Sequence, residues 1–185
     1  MTNLGTIRAS AWASIFDCAH RFYWQNMMGL RTPSSSAAHL GTSLHAGTAA
    51  FDQARLDGSP ITADDAAGVF VDTLRHPQED VAWGDDSPAA AEKIGLTLHT
   101  NYCTQIAPAH EYRAVELTCE ALDVETESGI ITLTGTTDRV RVTPKGLGAA
   151  DLKSGKRAVD KDGRAVTKGH HLQLGIYTFL AEKSL

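Results

Sequence analysis

The sequence predicts an α+β protein, with a mainly helical first part followed by a central, mostly antiparallel sheet flanked by helices. Three observations carry this. Residues 1–110 place apolar side chains at helical spacing, punctuated by residues that cap helices. Residues 112–153 change to alternating, β-branched runs broken by turn residues. A last helical run closes the chain. At 185 residues one domain is expected, its helical part at 1–110 and its sheet and final helix at 111–185.

The elements follow in order. Residues 1–7 read as a short lead-in. Ser10 is placed as the N-cap of a first helix to about residue 25, with Trp12, Ile15, Phe16, Ala19, Phe22 and Tyr23 as a core-facing stripe. Cys18 reads as a small buried residue on that helix. Pro33 to Ser36 makes a polar connection. A second helix spans about 37–56 and ends at Gly58-Ser59-Pro60. A third spans 62–75, with Thr62 as cap and Asp64 and Asp65 in the first turn, where negative charge suits the helix dipole. Residues 76–86 read as a polar, mobile loop. Ser87-Pro88 opens a fourth helix to about residue 106, with Ile94, Leu98, Tyr102 and Ile106 as its apolar stripe. His76, His99 and His110 are assigned to solvent or to local partners.

The sheet is read as a three-stranded meander over 114–124, 130–142 and 146–153. Residues 125–129 and Pro144-Lys145-Gly146 supply its turns. Asp138 falls late in the middle strand. Asp151 and Lys153 lie two apart at the end of the third, so strand alternation points both to one face. Residues 154–169 read as a basic, mobile loop that orders on substrate. A helix over about 168–182 then places Gln173 and Tyr177, four apart, on one side.

Bulk composition is that of an ordinary globular protein. No apolar run reaches membrane-spanning length and no basic-then-apolar leader is present, so a cytoplasmic location is expected. The net charge of −5 argues against a nucleic-acid partner, but its distribution argues for one. Residues 139–168 hold nine of the 17 Lys and Arg against three acids, so this stretch is +6 while the remainder is −11. Basic residues beside carboxylates are the electrostatic footprint of a phosphate-binding cleft; a solvated charged hairpin is the bland reading of the same run. Cys18, Cys103 and Cys119 are widely spaced and form neither a disulfide framework nor a zinc signature.

Asp138, Asp151 and Lys153 carry the chemistry. Two carboxylates hold a hard divalent cation, and a nearby lysine steadies a water or the charge developing on a phosphate, which is what metal-assisted phosphodiester cleavage needs. Taken singly, the remaining polar residues are ambiguous. His45 within a helix is more often structural than a ligand. Glu116 in a strand is more often on the wet face. Tyr177 would be core and Gln173 exposed.

The ordered set changes that reading. Gly-x-x-Asp138-Arg-Val, twelve residues between Asp138 and Asp151, then Asp151-Leu-Lys153-Ser-Gly-Lys156 resembles the PD-(D/E)XK nuclease superfamily, and is most similar to its RecB-like branch of recombination exonucleases and the CRISPR-associated adaptation nuclease. Gly41-Thr-Ser-Leu-His45, Glu116 and Gln173-Leu-Gly-Ile-Tyr177 extend the match over roughly residues 10–180. The resemblance implies a restriction-endonuclease-like fold, with a fourth strand and flanking helices, forming one nuclease domain over 1–185. It implies a divalent-metal-dependent DNA nuclease, an exonuclease in recombination, repair or CRISPR-type processing in a phage or bacterium. His45, Asp138, Asp151 and the carbonyl of Leu152 would hold Mg²⁺ or Mn²⁺. Glu116 would join the catalytic group, and Lys153 would orient the attacking water. Gln173, Tyr177, Lys156 and Arg139 would contact the DNA, single- or double-stranded.

Further expectations follow from the same resemblance. Gly41 would let the second helix approach the sheet, and the first helix with Gly29-Leu30 would form an arch leading into the active site. Cys18 sits where some members place the first ligand of an iron–sulfur cluster, but no cysteine follows Tyr177, so no cluster is expected. A helicase, an annealing protein or a CRISPR integrase would be the partner. Members usually continue beyond the point where this chain stops, leaving their final strand open here. Two other readings stand beside the enzyme: a catalytically silent DNA-binding module of the same fold, and a structural ion-pair cluster in an unrelated α+β protein. Paired acids that repel phosphate favour the enzyme over the binder.

Overall fold

The computed structural model describes residues 1–155, 158–166 and 170–185. The chain opens with strand β1 (Asn3–Arg8) and a 3₁₀ turn at Ala9–Ala11, then the short helices α1 (Trp12–Asp17) and α2 (Ala19–Phe22). Strand β2 (Ser34–Ser35), helices α3 (Ser36–Leu56) and α4 (Ala63–Arg75), strand β3 (Val81–Ala82) and helix α5 (Pro88–Asn101) follow. Five strands come next: β4 (Tyr112–Thr118), β5 (Leu122–Thr126), β6 (Gly129–Thr134), β7 (Thr136–Thr143) and β8 (Gly146–Ala150). Helix α6 (His171–Ser184) ends the chain. The fold is α+β, and no helix among the described residues is long and apolar enough to cross a membrane.

Two compact units are interleaved in the sequence. The first comprises residues 1–31, 116–151 and 167–185; the second comprises 32–115 and 152–166.

In the first unit, β1 pairs in parallel with β6, and β6 pairs antiparallel with β5, giving the order β1-β6-β5. A second sheet runs β4-β7-β8, with β4 entering the unit at Glu116. The residues expected to form a lead-in are therefore a strand. Each predicted long strand is also two: 114–124 divides between β4 and β5, and 130–142 divides at Gly135. The cause at Gly135 is packing. A Cβ there would lie 2.7 Å from the Tyr177 ring, so only glycine lets α6 lie over the crossing from β6 to β7. Asp138 is consequently early in its strand, and β8 stops at Ala150, one residue before Asp151. Strand alternation thus does not orient Asp151 and Lys153.

Both hairpin turns use one device, Thr-x-x-Gly. Thr126 and Thr143 donate from their hydroxyls to the carbonyls of Gly129 and Gly146, at 2.8 and 2.7 Å. Each hydroxyl also accepts a backbone N–H from within the turn. Ala9, Cys119, Leu133, Tyr177 and Leu180 form the buried core of this unit, extended by Ile7, Trp12 and Ile131.

The predicted first helix is broken. Cys18 is extended (φ −160°, ψ 99°), and its exposed thiol caps α2 by accepting the Arg21 N–H at 3.5 Å instead of being buried. An i→i+5 turn at Tyr23–Met27 then shifts the phase again, by about 100° for the inserted residue. With the phase lost, the expected core stripe does not form. Trp12, Ile15 and Phe22 are half-buried, while Phe16, Ala19 and Tyr23 are exposed.

In the second unit, α3, α4 and α5 pack around Leu44, Phe70, Leu74 and Ala91. Ser35 caps α3, Ser87 caps α5, and Thr62 with Asp65 forms a reciprocal capping box on α4. The Thr62 hydrogen bonds hold the Asp65 carboxyl below its usual range. The buried side of α5 is Ala91, Gly95 and His99, whereas Ile94, Leu98 and Ile106 of the expected stripe are exposed. Small residues were needed there because Phe70 inserts: a Cβ on Gly95 would stand 2.1 Å from the ring, and one on Gly47 2.7 Å from the Phe70 Cβ. His99 is buried against that ring, and loss of hydration lowers its pKa. Residues 76–86 contain β3, which pairs with β2. Within the expected mobile loop, 158–166 form a hydrogen-bonded turn, in which the Asp160 carboxylate accepts the N–H groups of Asp162 and Arg164, each at 2.9 Å.

Candidate functional site

The first unit brings two carboxylates together and carries a third, Asp151, just past the end of β8. Glu116 and Asp138 bring a carboxylate oxygen each to within 4.8 Å of one another, from the paired strands β4 and β7. Glu116 is the only described non-glycine residue with positive φ, at +46°. Holding a β-carbon in that region costs on the order of 1–3 kcal/mol, a strain that concentrates at functional sites. The Arg139 guanidinium accounts for how it is held. Arg139 is 3% exposed, and it donates from Nη1 to the Glu116 carboxylate at 3.3 Å and to the Asp138 carbonyl at 2.7 Å. Arg139, expected on the DNA, is thus turned onto Glu116.

Asp151, just past β8, accepts a hydrogen bond from Gln173 Nε2 at 3.4 Å. Gln173 and Tyr177 share the face of α6 that meets this end of the sheet. The Tyr177 phenol is held above its usual pKa, first by burial and then by the charges of Asp138 and Asp151, against the opposing hydrogen bonds of Gln173 and Ser10. It therefore stays protonated at neutral pH. Ser10, expected as a helix cap, is inside a 3₁₀ turn and hydrogen-bonds to Tyr177 instead. A Ser10–Tyr177–Gln173–Asp151 chain of contacts results. Nothing in the local sequence around Ser10 signals this role.

Oxygen donors at like charge suit a hard divalent cation. Among the described residues of this unit, the Glu116 and Asp138 carboxylates face the Arg139 guanidinium, which leaves an excess of negative charge, and the Glu116 backbone is strained where its side chain joins them. The residues present fit a divalent metal.

The second unit carries the other sequence-predicted residues. His45 Nε2 lies 2.9 Å from the carbonyl oxygen of Leu152. His45, Gly41, Thr42, Leu152, Lys153 and Ser154 line an open groove of about 400 Å³. Lys153 is exposed along it. A Cβ on Gly41 would meet Ser154 Oγ at 3.5 Å, an ordinary contact, so space does not require glycine, and the neighbour of Gly41 is this segment and not a sheet. Lys156 lies outside the described residues.

The signals that sequence reasoning missed are Arg139 as the partner of Glu116, the strain at Glu116, and Ser10. An arginine next to Asp138 is visible in the sequence, but its direction is not.

A model of the PD-(D/E)XK nuclease superfamily matches residues 9–185. No curated protein matches the chain.

Proposed function

The chain belongs to the PD-(D/E)XK nuclease superfamily, and we propose that it is a divalent-metal-dependent deoxyribonuclease of the RecB-like branch that works from DNA ends. Membership implies metal-dependent cleavage of nucleic acid; DNA as substrate, the exonuclease mode, Mg²⁺ or Mn²⁺ as the metal, and a role in recombination, repair or CRISPR-type processing are our reading. The observation that carries it is the juxtaposition of Glu116 and Asp138 on a strained backbone, with Asp151 tied to Gln173.

Asp138, Asp151 and Glu116 would hold the cation, and the family pattern adds His45 and the Leu152 carbonyl to its ligands. When bound, a divalent cation neutralises phosphate charge and lowers the pKa of water toward neutrality. The chain's own residues do the rest. Arg139 fixes the Glu116 carboxylate. Gln173 orients Asp151, and Tyr177, protonated, holds Gln173. Lys153 orients the attacking water and offsets the negative charge that builds on the phosphate. Water oxygen bonds to phosphorus, the bond from phosphorus to the 3′ oxygen breaks, and a water proton passes to that oxygen. The products are a 5′-phosphate and a 3′-hydroxyl.

The test is degradation of end-labelled linear and circular DNA with Mg²⁺, Mn²⁺ or EDTA, by the native chain and by Lys153→Ala. Metal-dependent shortening of linear DNA is expected, with circles resistant and the variant slower by roughly 10²–10³-fold. A folded, metal-supplied protein that binds DNA without cutting it would instead be a binding module.

A further inference from the structure

The broken N-terminal segment of the first unit exposes a cluster of apolar rings. Phe16 is 73% exposed, Tyr23 47% and Trp24 41%, followed by exposed Met27, Met28 and Leu30. Exposure on this scale over fifteen residues is not ordinary scatter of surface apolar groups. The rings are also held. Trp24 donates from Nε1 to His20 Nε2 at 3.1 Å, and its ring meets Tyr23 and His20 edge-on, at 5.4 and 6.1 Å between centroids. The i→i+5 turn that carries both rings is the kind of helical defect that recurs at functional positions. Beside Tyr23 lies an apolar slot of about 240 Å³ between β1 and this turn, lined by Leu4, Ile7, Phe22, Met27 and Ile131.

Charge identifies the occupant. Residues 1–31 contain Arg8, Arg21 and Arg31 against Asp17 alone, a local charge of +2 in a chain of −5. Asp17 is itself engaged, 3.0 Å from Arg21. Rigid aromatic faces interleaved with cations are the composition of a surface that stacks unpaired bases while attracting their phosphates. Duplex DNA hides its base faces and gains nothing from such a surface.

We propose that Tyr23, Trp24 and the adjoining apolar slot form a stacking site for unpaired bases, so that the bound form of the substrate is single-stranded DNA or a single-stranded end. The proposal rests on the reading above that the substrate is DNA.

The test is equilibrium binding in EDTA, where no cleavage occurs, of a labelled oligothymidylate and of a blunt duplex of equal length. Trp24→Ala and Tyr23→Ala are each expected to weaken single-strand binding roughly tenfold or more. Trp24→Phe keeps a ring and is expected to retain most of the affinity, and duplex binding is expected to change little. Unfolding temperatures will show that these exposed substitutions leave the fold intact. Absence of single-strand binding by the native chain, unchanged affinity in the alanine variants, or equal loss on both DNAs would overturn the proposal. Unchanged DNA affinity together with lost self-association would mark the patch as a protein contact, which also overturns it. Binding lost in Trp24→Ala by a chain that never cuts would defeat the nuclease reading and leave this one standing. Metal-dependent cutting with affinity unaffected by Trp24→Ala would do the reverse.

Discussion

Asp151→Ala is expected to lower metal-dependent cleavage by roughly a thousandfold or more while leaving the chain folded. Two features argue for the separation. Asp151 is half-buried and lies beyond the last residue of β8, so its side chain holds no strand in register. The hydrogen bond it accepts from Gln173 Nε2 is long, at 3.4 Å. Its charge, moreover, acts on the same phenol as that of Asp138, and like charges gathered without a cation oppose folding. In EDTA the variant's unfolding temperature is therefore expected to be unchanged or raised. With Mn²⁺ present, the native chain is expected to gain more stability than the variant, because only binding to the folded state stabilises it. If Asp151 served a structural ion pair, the variant would lose stability in EDTA, and activity would fall only in proportion to the unfolded fraction.

Phe70→Ala is expected to cost about 3–5 kcal/mol of folding free energy, read as a fall in the urea midpoint at constant slope. Phe70 is 0% exposed and packs within the group of Leu44, Leu74 and Ala91. Its ring also fills the space left by Gly95 and reaches His99, and the Phe70 Cβ lies at Gly47. Glycine neighbours have no side chain to move into the vacated volume, which places the cost toward the upper end of that range. Gly95→Ala is expected to destabilise through the same contact, since its Cβ would stand 2.1 Å from Phe70 Cζ. In the double variant Gly95→Ala/Phe70→Leu the two penalties should be markedly less than additive. Additive penalties, or a cost below about 1 kcal/mol for Phe70→Ala, would show that this contact does not organise the helices.

Local signals were the legible ones. Thr62 as a cap, Ser87-Pro88 and the turn residues at 125–129 and 144–146 all act through their own neighbours. The helix starts and hairpin turns they mark fall where the sequence places them, although sequence reasoning missed the Thr-x-x-Gly bonding of the turns. Long-range demands were not legible. Gly135 breaks a continuous β-branched run only because Tyr177, more than forty residues later, lies over it. The inward side of α5 is Ala91-Gly95-His99 because Phe70 of another helix needs the room, so hydrophobicity alone selects the wrong stripe. β1 is a strand because β6 offers it a parallel edge, and parallel pairing leaves no short-range signature. At the site, Asp138 and Asp151 could be named from residue type and placement, and Gln173 and Tyr177 only from the family resemblance. In the first unit Gln173 meets Asp151, and Tyr177 meets Gln173. The inward turn of Arg139 and the φ of Glu116 are tertiary outcomes that one sequence does not encode visibly.

The central claim is that these carboxylates exist to hold a divalent cation. The most direct measurement is titration of the native chain and of Asp138→Ala with Mn²⁺, following free Mn²⁺ by its paramagnetic resonance. Saturable binding by the native chain, abolished or weakened by a factor of at least about ten in the variant, is the expected result. Equal binding by the two, or none by a folded native chain, would contradict the claim.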